Sequence, residues 1–334
     1  MERFVVGSGR CGSTLMSNLL GKHPDLLILS EFFATLDRPE CFSSASLSGP
    51  EFGEFLDLVN PTVPITLRSA TKQKEVLLDD VGPQGLSTLK MITLPTISAE
   101  PDKLYDELKA AVANFPVQRY ADHYDQLFQW LMHQTGKSCW LERSGPSADY
   151  LPELIGMYPD ARYVHLYRDG LETSMSMMHH PYFQLIISFF YDPPGREEIL
   201  AGTDTLIRRL SPDYLPPEKY AEYWSYEQIN CFRGLAQLDR DQYINVRYED
   251  LIAEPAAALG RVAEFLELPE RDGWIAEAAG MVTGMPPSRF AGLPPEVQDA
   301  VRGGCEAGQL LLGTKVADQV VTSLKQIREL SYSA

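Results

Sequence analysis

The sequence predicts an α/β protein: a three-layer sandwich with a central parallel sheet and helices on both faces. Three observations predict it. Short apolar, β-branched runs alternate with longer stretches of helical periodicity. Turn residues bound the runs, as expected of strands joined through crossover helices. The chain is 334 residues long and 44% hydrophobic, enough to bury roughly three quarters of the unfolded surface around one core. There is no internal repeat and no low-complexity tract.

In chain order, residues 3–7 (RFVVG) read as the first strand and 13–22 as the helix after it. Residues 26–29, 86–92, 139–142, 162–167 (RYVHLY) and 243–247 (YINVR) are the further strands. A helix over 101–114 carries Leu104, Leu108, Ala111 and Val112 on one face, and one over 255–266 carries Leu259, Val262, Ala263 and Leu266. Residues 123–134, 150–157, 219–238, 294–312 and 316–330 are also read as helices. Tyr120, Tyr124, Phe128 and Trp130 form the apolar side of one of them. Two stretches interrupt the alternation, at about 37–80 and 182–217, the second with prolines at 193, 194, 212, 216 and 217. Strands lie on both sides of each, so we read 1–334 as one domain and the excursions as lids or an acceptor site.

Composition narrows the function. The net charge is −17, with a pI near 4.8. Such a chain repels phosphate backbones, acidic polysaccharides and anionic membranes, while a local basic pocket remains free to bind a small anion. The cysteines are Cys11, Cys41, Cys139, Cys231 and Cys305. Odd in number and with no CxxC pair, they point to reduced thiols in a cytoplasmic setting rather than disulfides or zinc. The start, MERFVVGSG, is not a signal peptide, and no apolar run approaches the length of a membrane span.

The strongest local pattern is GSGRCGST, Gly7–Thr14, between a strand and a helix. Glycines let the backbone N–H groups turn toward an anion, and the helix adds its positive end. The spacing G-x-x-x-x-G followed by two hydroxyl residues is that of a phosphate loop. Where a nucleotide phosphotransferase has lysine, however, there is Ser13, and the cation lies earlier, at Arg10. A second pattern, RYVHLYRDGLETSMS, puts Arg168 at a strand's carboxyl end and Ser176 eight residues on in the next helix. Doubly wound sheets bind ligands at such ends.

These residues resemble the PAPS-dependent sulfotransferases (PAPS, 3′-phosphoadenosine-5′-phosphosulfate). Arg10, Gly12, Ser13 and Thr14 fall on the family's 5′-phosphosulfate loop, in the arginine-bearing version typical of the carbohydrate and tyrosylprotein branches. Arg168 and Ser176 fall on its 3′-phosphate motif. WLERSGPS (Trp140–Ser147), with Arg143, and VRYEDL (Val246–Leu251), with Tyr248, are similar to two further family segments beside the nucleotide. SRFAGLPPE (Ser288–Glu296), with Arg289, resembles the family's nucleotide-closing loop. The resemblance runs from residue 3 to about 313 and implies a P-loop-like sulfotransferase fold with PAPS as cofactor. It departs from the pattern at Lys90–Pro95, where many cytosolic members carry a catalytic histidine and this chain has none.

On this resemblance the expected nucleotide site comprises Arg10, Cys11, Gly12, Ser13, Thr14, Arg143, Arg168, Ser176, Tyr248 and Arg289. The expected catalytic residues are Arg10, facing the sulfate and bridging oxygen, and Glu31 as base. Glu31 lies 21 residues after Arg10, a spacing similar to the catalytic glutamate of the tyrosylprotein branch. No metal is expected. His179 and His180 are read as a polar helix end, or as auxiliary bases. The aromatic stretch Tyr182–Tyr191 is read as the lining of an apolar acceptor pocket, or as core or a homodimer contact. The acceptor is expected to be a small or lipid-like hydroxyl compound. Two other classes stay open: a P-loop kinase or nucleotide hydrolase, with Asp79-Asp80 or Glu249-Asp250 holding magnesium, and a non-catalytic nucleotide-binding module.

Overall fold

In the computed structural model, the first strand, β1 (Arg3–Val6), is the middle of the sheet. The structure describes residues 1–36, 39–57, 87–195 and 206–313. After β1 come α1 (Ser13–Leu20), β2 (Leu26–Ser30), α2 (Phe32–Leu36), β3 (Ser46–Leu47) and α3 (Gly49–Leu56). Then follow α4 (Pro101–Val112), β4 (Gln118–Arg119), α5 (Tyr120–Thr135), β5 (Cys139–Arg143), α6 (Leu151–Met157), β6 (Arg162–Tyr167), α7 (Gly170–Met178) and α8 (Pro181–Tyr191). The described chain ends with α9 (Pro217–Leu235), β7 (Tyr243–Arg247), α10 (Tyr248–Ala253), α11 (Pro255–Phe265), α12 (Trp274–Ala279) and α13 (Pro295–Leu312). The main sheet has the order β2-β5-β1-β6-β7 and is parallel throughout. β3 and β4 form a small antiparallel ribbon apart from it.

The pleat sends neighbouring residues of each strand to opposite faces, and the two faces carry separate cores. Phe4, Val6, Leu27, Leu29, Trp140 and Tyr163 pack with Tyr124, Leu127 and Phe128 of α5 and with Leu151 and Leu154 of α6. Val5, Leu26, Leu141, Val164, Leu166 and Val246 pack with Met16, Leu19 and Leu20 of α1 and with α11 and α12. This double coverage explains why the strands are apolar along their length. A third cluster joins α7, α8, α9 and α13 through Met175, Phe183, Trp224 and Val301.

One expected strand is corrected. The run expected over 86–92 is helical where it is described: Leu89–Thr93 forms a wide turn closed by the Leu94 N–H on the Leu89 carbonyl. Leu86 lies outside the described residues. Leu89, Met91 and Ile92 are all buried, and a short fully apolar run does not distinguish a buried strand from a buried helical turn. The turn docks on the end of β2, where the Thr93 hydroxyl donates to the Ser30 carbonyl at 2.9 Å. The helix expected over 316–330 lies outside the described residues. So does all of the first excursion beyond residue 57. The second excursion begins as α8 and returns through Arg209, which is buried, stacks on Phe189 and Tyr214, and donates to the Asp192 carbonyl. No described helix is long and apolar enough to cross a membrane.

Candidate active site

The carboxyl ends of β1, β2, β5 and β6 converge on one open cleft of about 210 Å³. Residues 7–12, between β1 and α1, form its floor. The loop is tied down at its start: the Gly7 N–H donates to Ser147 Oγ at 2.9 Å, and the Gly7 carbonyl accepts from the Ala148 N–H at 3.2 Å. It then curls through left-handed backbone at Gly9 (φ 73°), Arg10 (φ 52°) and Gly12 (φ 97°), which turns successive N–H groups toward one side. Glycine is required twice for space as well. A Cβ on Gly9 would stand 2.3 Å from the Phe183 ring, and one on Gly12 would stand 2.3 Å from the Tyr248 ring. Cys11 turns into the core beneath, and burial pushes its thiol up. It therefore contributes backbone to the loop and no side chain to the cleft. Ser13 and Thr14, at the amino end of α1, line the cleft with Arg10 and Gly12.

The second sequence pattern meets the first. Arg168 follows β6, with its guanidinium 4.7 Å from the centre of the Tyr248 ring. Ser176, on α7, is 6% exposed, and its hydroxyl accepts from Arg10 Nε at 3.2 Å. Two patterns 166 residues apart thus share a hydrogen bond. Tyr248 packs between them, on Gly12 from one side and beneath Arg168 from the other.

Glu31 also lines the cleft, from the turn after β2. Its φ is 57°, so with Arg10 and Glu267 it is one of three non-glycine residues with left-handed backbone among those described. Such strain persists where the surroundings over-determine it and clusters at functional sites. Here the Glu31 N–H donates to the Arg143 carbonyl at 2.6 Å. The Glu31 carboxylate is ion-paired with the Arg143 guanidinium and accepts the Gly145 N–H at 2.8 Å. Arg143 is only 3% exposed and also reaches Ser17 Oγ at 3.4 Å. The structure thus puts Arg143 against the candidate base.

Of the residues expected at the site, Arg10, Gly12, Ser13, Thr14, Glu31, Arg143, Arg168, Ser176 and Tyr248 line this one cleft. Arg289 does not. Its side chain is exposed, and its turn is held by Glu172 of α7, whose carboxylate accepts the Ser288 hydroxyl and the Arg289 and Phe290 N–H groups. The histidine pair divides. His180 lines the cleft, edge-on to Phe183, while His179 is exposed and closes α7 by donating from Nδ1 to the Met175 carbonyl. Within the aromatic stretch, Tyr182 and Phe183 reach the cleft, and Phe183 and Ile187 join the third core. Sequence reasoning missed Ala34 and Thr35 of α2, Thr88 and Ile92 beside the wide turn, and Gly145 and Pro146. The last two were within reach, being part of WLERSGPS. Thr88 and Ile92 were hidden in the run taken for a strand.

Chemically, the cleft brings the guanidinium groups of Arg10 and Arg168, the hydroxyls of Ser13, Thr14 and Ser176 and a helix amino end together in an acidic protein, which suits a small polyanion. The same cleft also holds the Glu31–Arg143 carboxylate–guanidinium pair. Glu249, a candidate magnesium ligand, is engaged otherwise: it pairs with Arg247 and accepts the Asp169 N–H. Asp79-Asp80 lies outside the described residues. Among the described residues no three His, Cys, Asp or Glu side chains are grouped to hold a metal ion. All five cysteines are buried and free.

A family model described as "Sulfotransferase family" matches residues 3–272. No curated protein sequence matches the chain. Among solved structures, a sulfotransferase from Alicyclobacillus acidocaldarius is 16% identical, over 95% of this chain and 96% of that one, with a TM-score of 0.44. A Mycobacterium avium sulfotransferase is 17% identical over 90% and 75%, with a TM-score of 0.44. The sulfotransferase domain of the Synechococcus olefin synthase is 16% identical over 91% and 93%, with a TM-score of 0.43.

Proposed function

The chain belongs to the sulfotransferase family, and on that premise we propose that it transfers a sulfuryl group from PAPS to a hydroxyl of a small or lipid-like acceptor. The observation that carries this reading is the hydrogen bond between Arg10 of the loop and Ser176 of the second motif, beside Arg168. It joins two anion-binding patterns in one cleft, as a donor with separate 3′ and 5′ phosphate groups requires. The fit also rests on the glycine cradle: a Cβ on Gly9 or Gly12 would meet an aromatic ring at 2.3 Å.

Residues 10–14 would hold the 5′ end of the donor through backbone N–H groups, the hydroxyls of Ser13 and Thr14 and the amino end of α1. Arg168 and Ser176 would hold the 3′-phosphate, with Tyr248 beneath. The bound donor supplies the sulfuryl group itself. Glu31 takes the proton of the acceptor hydroxyl. Arg143 and the Gly145 N–H keep its carboxylate aimed at the cleft. Arg10, always charged, neutralises the oxygen left on the departing phosphate. Catalysis of this kind rests on positioning and electrostatics. Ile92, Tyr182 and Phe183 give the cleft an apolar side, which together with the acidic surface favours a neutral hydroxylated acceptor. The buried free thiols fit a reducing, cytoplasmic setting.

The test is calorimetric titration with 3′-phosphoadenosine-5′-phosphate (PAP), the expected product, against magnesium-ATP. Wild type should bind PAP without magnesium. Arg168→Ala should weaken it about 10- to 150-fold, the loss of one charge-assisted contact worth about 1.5–3 kcal/mol. Preference for magnesium-ATP, or no PAP binding, would sink the reading and favour the kinase class.

A further inference from the structure

Glu142, the penultimate residue of β5, is a carboxyl with no role in the scheme above. It is fully buried. Its Oε1 accepts the Ser144 hydroxyl at 2.5 Å and the Phe33 N–H at 3.4 Å. Ser144 Oγ in turn accepts the Ala34 N–H at 3.1 Å. Phe33 and Ala34 lie in the first turn of α2, two and three residues after Glu31. The end of β5 therefore grips the chain around Glu31 on both sides of its carboxylate. Arg143 and Gly145 hold Glu31 itself, and Glu142 with Ser144 holds the Phe33 and Ala34 amides. The grip explains how a glutamate stays in left-handed backbone at this point, since each bond would be lost if the turn relaxed.

We propose that Glu142 is a positioning residue for the base: through Oε1 and Ser144 it fixes the turn that aims the Glu31 carboxylate into the cleft. The inference rests on the proposed sulfuryl transfer, with Glu31 as proton acceptor. Glu142 does this as a neutral acid. Its Oε1 is the accepting oxygen, and its Oε2 has no hydrogen-bond partner among the described residues to offset a buried charge. Burial pushes the carboxyl up to about 8, opposed by the Ser144 hydroxyl and reinforced by the nearby Glu31 charge. The charged and titratable groups facing it are Glu31 from the α2 side, Arg143 from its own strand and Tyr150 from the turn before α6. The Tyr150 phenol is itself pushed well above its ordinary range by burial and by Glu142. Once Glu142 ionises, a second buried carboxylate stands near the Glu31 charge and repels a polyanionic donor.

The test needs no knowledge of the acceptor, because water can replace it: PAPS and water yield fully ionised PAP, sulfate and two protons, the first of them taken from the attacking water by Glu31. Release of radiolabelled sulfate is followed from pH 6 to 9.5 in the full-length chain. At pH 7, Glu142→Ala should lower kcat about 10- to 100-fold with donor KM changed less than about twofold, the signature of a misaimed base. Glu142→Gln, which keeps Oε1 and cannot ionise, should restore most of that loss. Wild type should lose kcat/KM for the donor above about pH 8, and Glu142→Gln should not. Equal pH 7 rates in wild type and Glu142→Ala would overturn the proposal, and so would an unchanged alkaline limb in Glu142→Gln. If Glu142→Ala does not fold, the isosteric glutamine variant still decides the matter through that limb. A wild-type chain that neither binds PAP nor releases sulfate defeats the transfer reading itself. A wild type that does both while the Glu142 variants match it defeats this inference alone.

Discussion

Substituting Gly12 by alanine is the sharpest probe of how the loop is built. At φ 97° and ψ 14°, an L-residue pays about 1–2 kcal/mol in backbone strain. The new Cβ would also stand 2.3 and 2.7 Å from Cδ2 and Cε2 of Tyr248. That ring is 8% exposed and wedged beneath Arg168, so displacing it costs about 1–3 kcal/mol more. The total expected loss is about 2–5 kcal/mol. Gly136, which caps α5, is the internal control: its φ is 66°, and nothing lies within 4 Å of its Cβ position. Gly136→Ala should show the backbone part alone, about 1–2 kcal/mol. Urea denaturation of both variants measures the difference, which isolates the Tyr248 contact. PAP titration adds a second readout. Gly12→Ala should bind PAP at least about tenfold more weakly, a displacement worth about 1.4 kcal/mol, and Gly136→Ala should bind it normally. Equal urea midpoints for the two variants would refute the claim that Tyr248 packing demands glycine. Unchanged PAP binding by Gly12→Ala would refute the claim that the loop and Tyr248 form one site.

Two further outcomes follow from buried polar groups. Ser147→Ala removes the side-chain acceptor of the Gly7 N–H. A buried donor left unsatisfied costs about 1–3 kcal/mol, so the unfolding free energy from urea denaturation should fall by that amount; an unchanged midpoint would mean the loop start is held otherwise. His165, fully buried on β6 beside Asn245, has its imidazole lowered to about 4 by burial, against the opposing Asn245 hydrogen bond. Its folded form is the neutral one, so the stability it contributes is present above its ordinary value near 6.5 and is lost as pH falls toward about 4. Unfolding should become easier by roughly 2–3 kcal/mol between pH 7 and 4.5 from this group. His165→Asn should flatten that slope, and a slope that survives the substitution would assign it elsewhere.

The regular part of the fold was legible because it rests on local rules. Five strands of the sheet stand where apolar runs predict them, since a strand covered on both faces must be apolar along its length. The run at 86–92 failed for the same reason: full burial erases the period that separates strand from helix. The ribbon of β3 and β4 carries two residues per strand, too few to show any period. At the site, Arg10, Arg168 and Ser176 were legible because glycine spacing and strand ends are sequence properties. Arg289 was not, since the hold of Glu172 on its turn joins residues 117 apart.

The sequence by itself determined the parallel α/β architecture, the phosphate-type loop with arginine in place of lysine, and the presence of a second arginine–serine motif after a later strand. Each of these follows from residue types within a few positions of one another, where backbone geometry and side-chain chemistry are locally set. Only the tertiary structure decided what those motifs touch. Arg10 donates to Ser176, Tyr248 fills the space that Gly12 leaves, and the end of β5 holds Glu31 in left-handed backbone. These contacts join segments more than a hundred residues apart, and sheet order alone brings them together: β1 lies between β5 and β6, while β2 returns beside β5.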